Sequence, residues 1–348
     1  MPLDIPLLKD LLGRSSVSGY EDEVAALFLE GLKPYSCLQE TDALNNAYSY
    51  CGDRSSSRVV MLEAHMDEIG FQVLYIDKAG NIYVRKNGGI DPCCVPGRFV
   101  NIRTIDGEIV PGVIGKKPVH LLTAEDRRIA PPLETLWIDT GLPVETVKEK
   151  IHVGDPVTYV PQVQMLGENR IASKGLDDKI GVFVVMEAFR RLSEMKLKDV
   201  CVVAAACAQE EVGCRGSVVG SAHVKPTHCV CVDVDFATDV PDCSPKTSGS
   251  VSLGDGVVIT RHLDSNRAIS SLAVRVAEKR RIPYQLSARR SATGGTDTAK
   301  IQLTNEGVQT LLLGIPNRYM HTPVEVCDLI DVECAVELIV QLVVELAR

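Results

Sequence analysis

The stretch Val59-Val60-Met61-Leu62-Glu63-Ala64-His65-Met66-Asp67 decides how this chain is built. Val59–Leu62 reads as a short apolar strand, and His65 and Asp67 follow it at once. Other apolar runs end the same way. Glu210 and Glu211 follow the run Val200–Ala206, and Asp233 and Asp235 lie at the end of His228–Val234. His321 follows Val308–Leu313 and a turn, Gly314-Ile315-Pro316-Asn317. Asp177 and Asp178 stand just before the helical pattern Gly181–Lys196. In an open parallel sheet, ligands bind in the crevice outside the carboxyl ends of the strands. These strands would therefore bring His, Asp and Glu to one edge. His65 stands before a long segment of different texture and the others stand after it, so convergence requires that segment to be an insertion.

The inserted segment runs from 69 to 163. Short β-type runs (Phe71–Ile76, Ile82–Arg85, Phe99–Thr104, Val110–Ile114, Pro156–Val160) alternate with turn signals such as Asn87-Gly88-Gly89 and Asp106-Gly107. Such spacing predicts a small β barrel or sandwich, with one helical stretch at Pro143–Lys150. Elsewhere apolar strands alternate with helices, including Ala268–Lys279 and Val332–Leu346. Strands apolar on both faces predict a mixed, largely parallel sheet flanked by helices. Residues 3–33 read as helical, with Ser18-Gly19-Tyr20-Glu21 in the form of a capping box. The expected organisation is α/β: a discontinuous catalytic domain of residues 1–68 and 164–348, and an inserted small β-barrel domain of residues 69–163.

Composition narrows the function. The chain has 348 residues, enough for about two domains. Its 37 basic and 46 acidic residues give a net charge of −9. That argues against nucleic acid, which is held by clustered Lys and Arg, and against an anionic membrane surface. No apolar run reaches about 18 residues, so no membrane span is expected. The opening Met1-Pro2-Leu3-Asp4 lacks the basic stretch of a secretory signal. The 12 cysteines include no Cys-x-x-Cys pair, and Cys201, Cys207, Cys229 and Cys231 lie in apolar runs. Free thiols in a cytoplasmic protein are the expectation.

Two His and three carboxylates, one of them shared, suit a pair of borderline divalent cations such as zinc or cobalt. Such a pair polarises a carbonyl and lowers the pKa of a bridging water. A further carboxylate must then take the water's proton. The pair Glu210-Glu211 offers one side chain for metal and one for the water. His65-x-Asp67 has the form of a ligand followed by the group that orients it.

Six segments stand in order: Glu63–Phe71, Gly175–Gly181, Ala208–Gly216, Val232–Asp239, Gly294–Ala299 and Ile315–Val326. Together they resemble the tetrahedral, or glutamyl, aminopeptidases of metallopeptidase family forty-two, some of which carry the label endoglucanase. The resemblance implies two divalent metal ions per subunit. It implies that Asp177 bridges them, that His65 and Asp233 complete one site, and that Glu211 and His321 complete the other. Glu210 is then the general base and Asp67 orients His65. Strand parity and the family pattern favour Asp233 over Asp235. A cis peptide between Asp177 and Asp178 is implied, although Asp178 stands where many members have Asn. The inserted domain would serve assembly, with dimers building a twelve-subunit homo-oligomer, and the substrate would be a short peptide.

Other functions have weaker support. A glycosidase needs two free carboxylates about 5–10 Å apart, and aromatic residues make up only 5% of the chain. A non-catalytic scaffold has no use for Glu210. A deacetylase or other amidohydrolase would use the same metal chemistry and is the alternative to an aminopeptidase. Lys174 and Lys179 read as solvated or salt-bridged. Gly294-Gly295-Thr296-Asp297 is either a turn or a wall of the cleft.

Overall fold

The computed structural model describes residues 2–288 and 295–348. Helix α1 (Ile5–Gly13) starts on Asp4, whose side chain accepts the Leu7 N–H, and it buries Leu8, Leu11 and Leu12. Helix α2 (Asp22–Leu32) buries Val24, Ala25, Phe28 and Leu32, one stripe of a 3.6-residue period. A hairpin of β1 (Leu38–Thr41) and β2 (Ala47–Gly52) precedes β3 (Val59–His65).

The chain then leaves the sheet. Strands β4 (Gly70–Ile76), β5 (Ile82–Asn87), β6 (Phe99–Arg103), β7 (Ile109–Gly115), β8 (Trp137–Asp139) and β9 (Pro156–Tyr159) close into a barrel in the order β4-β5-β8-β7-β6-β9. Helix α3 (Val144–Lys150) lies between β8 and β9. All the barrel pairs are antiparallel. Inward residues such as Phe71, Ile82, Val100, Ile102, Ile138 and Val157 are fully buried in a core of their own.

The return path carries β10 (Gln164–Leu166) and β11 (Arg170–Ser173), then α4 (Leu176–Met195), β12 (Cys201–Cys207), α5 (Arg215–Val224) and β13 (His228–Phe236). Next come α6 (Pro245–Ser248), β14 (Val257–Thr260), α7 (Arg267–Arg280), β15 (Tyr284–Ser287) and α8 (Thr298–Ile301). The chain ends with β16 (Gln309–Asn317), β17 (Glu325–Asp328) and α9 (Leu329–Leu346). Among the described residues, eight strands form one sheet in the order β1-β2-β12-β3-β13-β16-β14-β15. The central strands β12, β3, β13 and β16 are parallel. β2 and β14 join them antiparallel.

Both faces of this sheet are covered. On one side Val60, Leu62, Val202 and Val230 pack with α4 and α9; on the other Met61, Val203, Cys229 and Leu312 pack with Ile301 of α8. Double coverage is why β12 is buried at all seven positions. Cys201, Cys207, Cys229 and Cys231 are buried free thiols, as their apolar runs imply.

Two local expectations need correction. Gly181–Lys196 reads as amphipathic, but α4 starts at Leu176 and is buried nearly throughout, because it lies between the sheet and α9. Gly314–Asn317 reads as a turn, but β16 continues through Asn317 because β13 pairs with it up to Phe236. Among the described residues no helix is long and apolar enough to cross a membrane.

Candidate active site

The carboxyl ends of four parallel strands set the site. His65 is the last residue of β3, and Glu210 and Glu211 follow β12. Asp233 and Asp235 lie near the end of β13, and His321 follows β16. Asp177 enters from the first turn of α4, where its backbone is not helical. All seven line one cavity of about 1080 Å³. The His and carboxylate residues read from the sequence therefore do converge, across an intervening barrel.

Asp177 lies between the two imidazoles. Its Oδ1 is 3.1 Å from His65 Nε2 and its Oδ2 is 3.3 Å from His321 Nε2. Asp233 Oδ1 is 3.8 Å from His65 Nε2, and Glu211 Oε1 is 3.4 Å from His321 Nε2. Residues two apart on a strand share a face, so parity does not separate Asp233 from Asp235; the approach to His65 favours Asp233. The Asp177-Asp178 peptide is cis, as the resemblance implies. Asp178 also lies close enough to group with His65 and Asp233. Its Oδ1 accepts the Gly181 N–H.

The surrounding groups hold this arrangement. The Asp67 carboxylate accepts the N–H groups of Glu210 (2.9 Å) and Glu211 (3.2 Å) and the Ser18 hydroxyl (2.6 Å). His65 Nδ1 lies 3.1 Å from the Asp67 carbonyl and 3.4 Å from its carboxylate. Asp67 thus grips the segment carrying Glu210 as well as facing His65. Glu325 of β17 accepts the N–H groups of Asp177 (2.9 Å) and His321 (3.0 Å). Its place inside a quoted motif was the signal for it, but the sequence suggests no role. Lys174 and Lys179 are buried and paired with Glu68 at 2.6 and 3.0 Å, which selects the salt-bridged reading over the solvated one.

Two glycines of the barrel also reach the site. A Cβ on Gly89 would lie 2.8 Å from His321 Nδ1, and one on Gly88 would lie 3.1 Å from Glu211 Oε2. The sequence marks them only as a turn. Gly295 and Thr296 line the cavity, while Asp297 is buried behind and accepts the Ser217 hydroxyl at 2.6 Å. Gly294, the first residue of that motif, lies outside the described residues.

Charge crowds here. Burial alone would raise the Asp177 carboxyl, but hydrogen bonds to His321 and His65 hold it below the usual carboxylate range. Burial would lower His321, yet Asp177 and Glu211 push it up to about 11. Glu210 is raised, first by burial, against the opposing charge of His65 and with help from Asp297, Asp233 and Glu211. So many carboxylates in one buried cleft need compensating positive charge. Divalent cations would supply it, and they would take the place of any proton on His65 and His321, because a ligating imidazole is neutral. The donors fit such cations. Imidazole and carboxylate are ligands for zinc-like ions, and Glu211 Oε1 and Asp178 Oδ2 are buried atoms with no hydrogen-bond partner.

The fold and cleft together define an α/β enzyme whose sheet edge is fitted to divalent cations. Comparison with known proteins narrows this further. Residues 45–338 match the M42 glutamyl aminopeptidase family. The chain is 33% identical to the lysyl aminopeptidase of Pyrococcus furiosus, over 99% of this chain and 98% of that one. It superposes on a TET aminopeptidase from a marine-sediment Thaumarchaeota archaeon with a TM-score of 0.91 and 31% identity, covering 97% and 95% of the two chains. It also superposes on the Pyrococcus horikoshii TET1 peptidase, described as assembling into a tetrahedron or a large octahedral shell; there the TM-score is 0.86 with 32% identity, covering 97% and 98%. The chain belongs to the M42 glutamyl aminopeptidase family and is a hydrolase acting on peptide bonds.

Proposed function

We propose that the chain is a dinuclear-metal aminopeptidase that removes the N-terminal residue of short peptides, with Glu210 as general base. The observation that carries this reading is the relation of Glu210 to its neighbours. It lines the same cavity as the two His-carboxylate groups but belongs to neither of them, grouping instead with Cys214 and Asp297. His65, Asp233 and the shared Asp177 would hold one divalent cation, zinc or cobalt, and Glu211, His321 and Asp177 the other. When bound, the cations supply Lewis acidity at the scissile carbonyl and a lowered pKa for the attacking water.

The chain's own residues do the rest. The Glu210 carboxylate accepts a proton from the water as its oxygen attacks the first peptide carbonyl. The same carboxyl then gives that proton to the leaving amine nitrogen. Asp67 holds the Glu210 N–H and so fixes the point from which the side chain reaches. The cavity, at about 1080 Å³, has room for a short peptide and is walled in part by Val234, Phe236, Val251, Leu286 and Met320.

The barrel, taken as a domain of residues 69–163 inserted into a catalytic domain of 1–68 and 164–348, is proposed to drive assembly into a homo-oligomer. Its outer face leaves Phe99, Ile105 and Ile109 exposed, and a similar peptidase is described as assembling into a tetrahedron or a large octahedral shell. The free thiols fit a cytoplasmic setting.

The test is release of free amino acid from matched unblocked and N-acetylated peptides. It uses native protein, chelated protein reloaded with zinc or cobalt, and Glu210→Gln. Cleavage confined to unblocked peptides, restored by metal and reduced roughly 100- to 10,000-fold in Glu210→Gln, is expected. Cleavage of the N-acetyl group itself would select the amidohydrolase alternative.

A further inference from the structure

Ser18-Gly19-Tyr20-Glu21 has the sequence of a capping box, but it does not cap α2. Glu21 is the residue before the helix and makes no side-chain cap bond. The Ser18 hydroxyl instead donates to Asp67 Oδ2 at 2.6 Å, across 49 residues of sequence. The Glu21 carboxylate accepts the Gly19 N–H at 2.7 Å and the Gln209 N–H at 3.2 Å. Both side chains are buried, Glu21 at 2% exposure and Ser18 at 6%. The sequence has placed two polar groups under the site rather than at a helix end.

Their targets are the segment that carries the chemistry. The backbone N–H groups of Gln209, Glu210 and Glu211 are consecutive. Glu21 holds the first, and Asp67 holds the second and third. Asp67 is itself held by Ser18. The segment needs holding, because Gln209 sits at φ +60°, a conformation uncommon for a residue with a Cβ. A carboxylate on its N–H favours that turn and sets the direction in which Glu210 leaves the backbone. Other contacts fix the stretch between α1 and α2 that carries Ser18 and Glu21. Ser16 N–H donates to Glu68 at 3.1 Å, and the Arg14 carbonyl accepts Lys179 Nζ at 2.8 Å.

We infer that Glu21 and Ser18 are positioning residues for the general base: Glu21 acts through the Gln209 N–H, and Ser18 acts through Asp67. The inference rests on the reading of Glu210 given above. Neither residue lines the cavity, so neither touches substrate. A small displacement is enough, since a shift of about 1 Å at a reacting group can lower a rate by about 100-fold. The Glu21 carboxyl is pushed up to about 7, first by burial and then by the charge of Asp67. Gln keeps an acceptor oxygen for the Gly19 and Gln209 N–H groups and serves as the conservative replacement.

The experiment compares Glu21→Ala, Glu21→Gln and Ser18→Ala in the full chain, each loaded with zinc. Three quantities are measured: kcat and KM on an unblocked peptide, zinc stoichiometry by calorimetry, and hydrogen exchange of the peptide spanning Gln209–Glu211. Glu21→Ala should lower kcat about 10- to 100-fold with KM within about twofold. It should still bind zinc at the native stoichiometry and should speed exchange across 209–211. Glu21→Gln should restore kcat to within a few-fold and slow the exchange again. Ser18→Ala should show the same pattern more weakly. Native exchange at 209–211 in Glu21→Ala, or kcat within twofold of wild type, overturns the inference. So does a kcat loss explained by lost zinc and not rescued by Gln, which makes the role structural. If Glu210→Gln keeps full activity while Glu21→Ala speeds exchange, the reading of the base has failed and the backbone clamp has not.

Discussion

The sheet and the barrel are both built of strands, yet they use side chains in opposite ways. β12 is buried at every position, whereas β7 alternates exposed and buried along Ile109–Gly115. The sheet is covered on both faces, so its strands are continuous apolar runs with no solvent side on which to carry polar groups. Apart from the buried Glu63 within β3, the ionisable residues of its central strands stand at the strand ends, where four parallel strands finish at one edge. The barrel has an inner face and an outer one. It has no shared edge at which strand ends converge, because its antiparallel strands point alternately up and down. The lesson is geometric: parallel order concentrates chemistry, and closure disperses it. None of the candidate metal groups among the described residues includes a barrel residue.

The largest effect that could break this division comes from Gly88-Gly89, where the barrel meets the site. Gly89→Ala would put a methyl 2.8 Å from His321 Nδ1, inside van der Waals contact. The imidazole must shift, and kcat/KM is expected to fall about 100-fold. Zinc titration should show weaker binding at the site that uses His321. Activity and zinc affinity both within twofold of native would mean that the barrel is independent of the chemistry.

The same contrast explains what could be read from the sequence. β3, β12 and β13 were legible because burial on both sides writes an unbroken apolar run, and the barrel was legible because turns punctuate short strands. His65, Asp177, Glu210, Glu211, Asp233 and His321 were legible because each stands at the end or start of such an element. What stayed hidden depends on distant partners. Trp137–Asp139 is three residues long and counts as a strand because Val113–Gly115 pairs with it on one side and Ile82 on the other. Ser18 and Glu21 have the local pattern of a cap, and only the fold turns them toward Asp67 and Gln209. Gly88 and Gly89 look like an ordinary turn until His321 comes near from the far end of the chain. Glu325 carries no local signal that two backbone N–H groups will converge on it.

A smaller effect sharpens the contrast through pH. Asp331, at the start of α9, accepts the N–H groups of Gly254 and Gly256 at 2.8 and 2.7 Å. Burial is the main cause that pushes its carboxyl up to about 7. For a carboxyl raised in the folded state, the folded form binds the proton more tightly than the unfolded chain does. Its contribution is fully present below the unfolded pKa, near 4, and is lost as pH rises through about 7. Asp331→Asn lacks this titration. The urea midpoint of wild type relative to Asp331→Asn should therefore fall from pH 5 to pH 8. A constant difference would show that Asp331 ionises alike in both states.

The smallest effect on the fold is expected on the barrel's outer face. Phe99 pairs with Val113 across β6 and β7, and both point outward, Phe99 at 64% exposure. A side chain this exposed contributes little to the stability of an isolated subunit, so Phe99→Ser should change its unfolding free energy by no more than about 0.5 kcal/mol. If the outer face joins subunits, the same substitution acts on assembly, because an interface core depends on apolar and aromatic contacts. Light scattering should then report a smaller particle for Phe99→Ser than for wild type, while the far-UV spectrum and the peptidase activity per subunit stay close to native. An unchanged particle mass would move the interface off this face of the barrel. A large loss of stability in the separated subunit would mean that Phe99 supports the barrel's own packing, which its exposure argues against. Because Phe99 is not part of the cavity lining, this variant probes assembly without touching the site, the counterpart of Gly89→Ala, which disturbs the site from within the barrel.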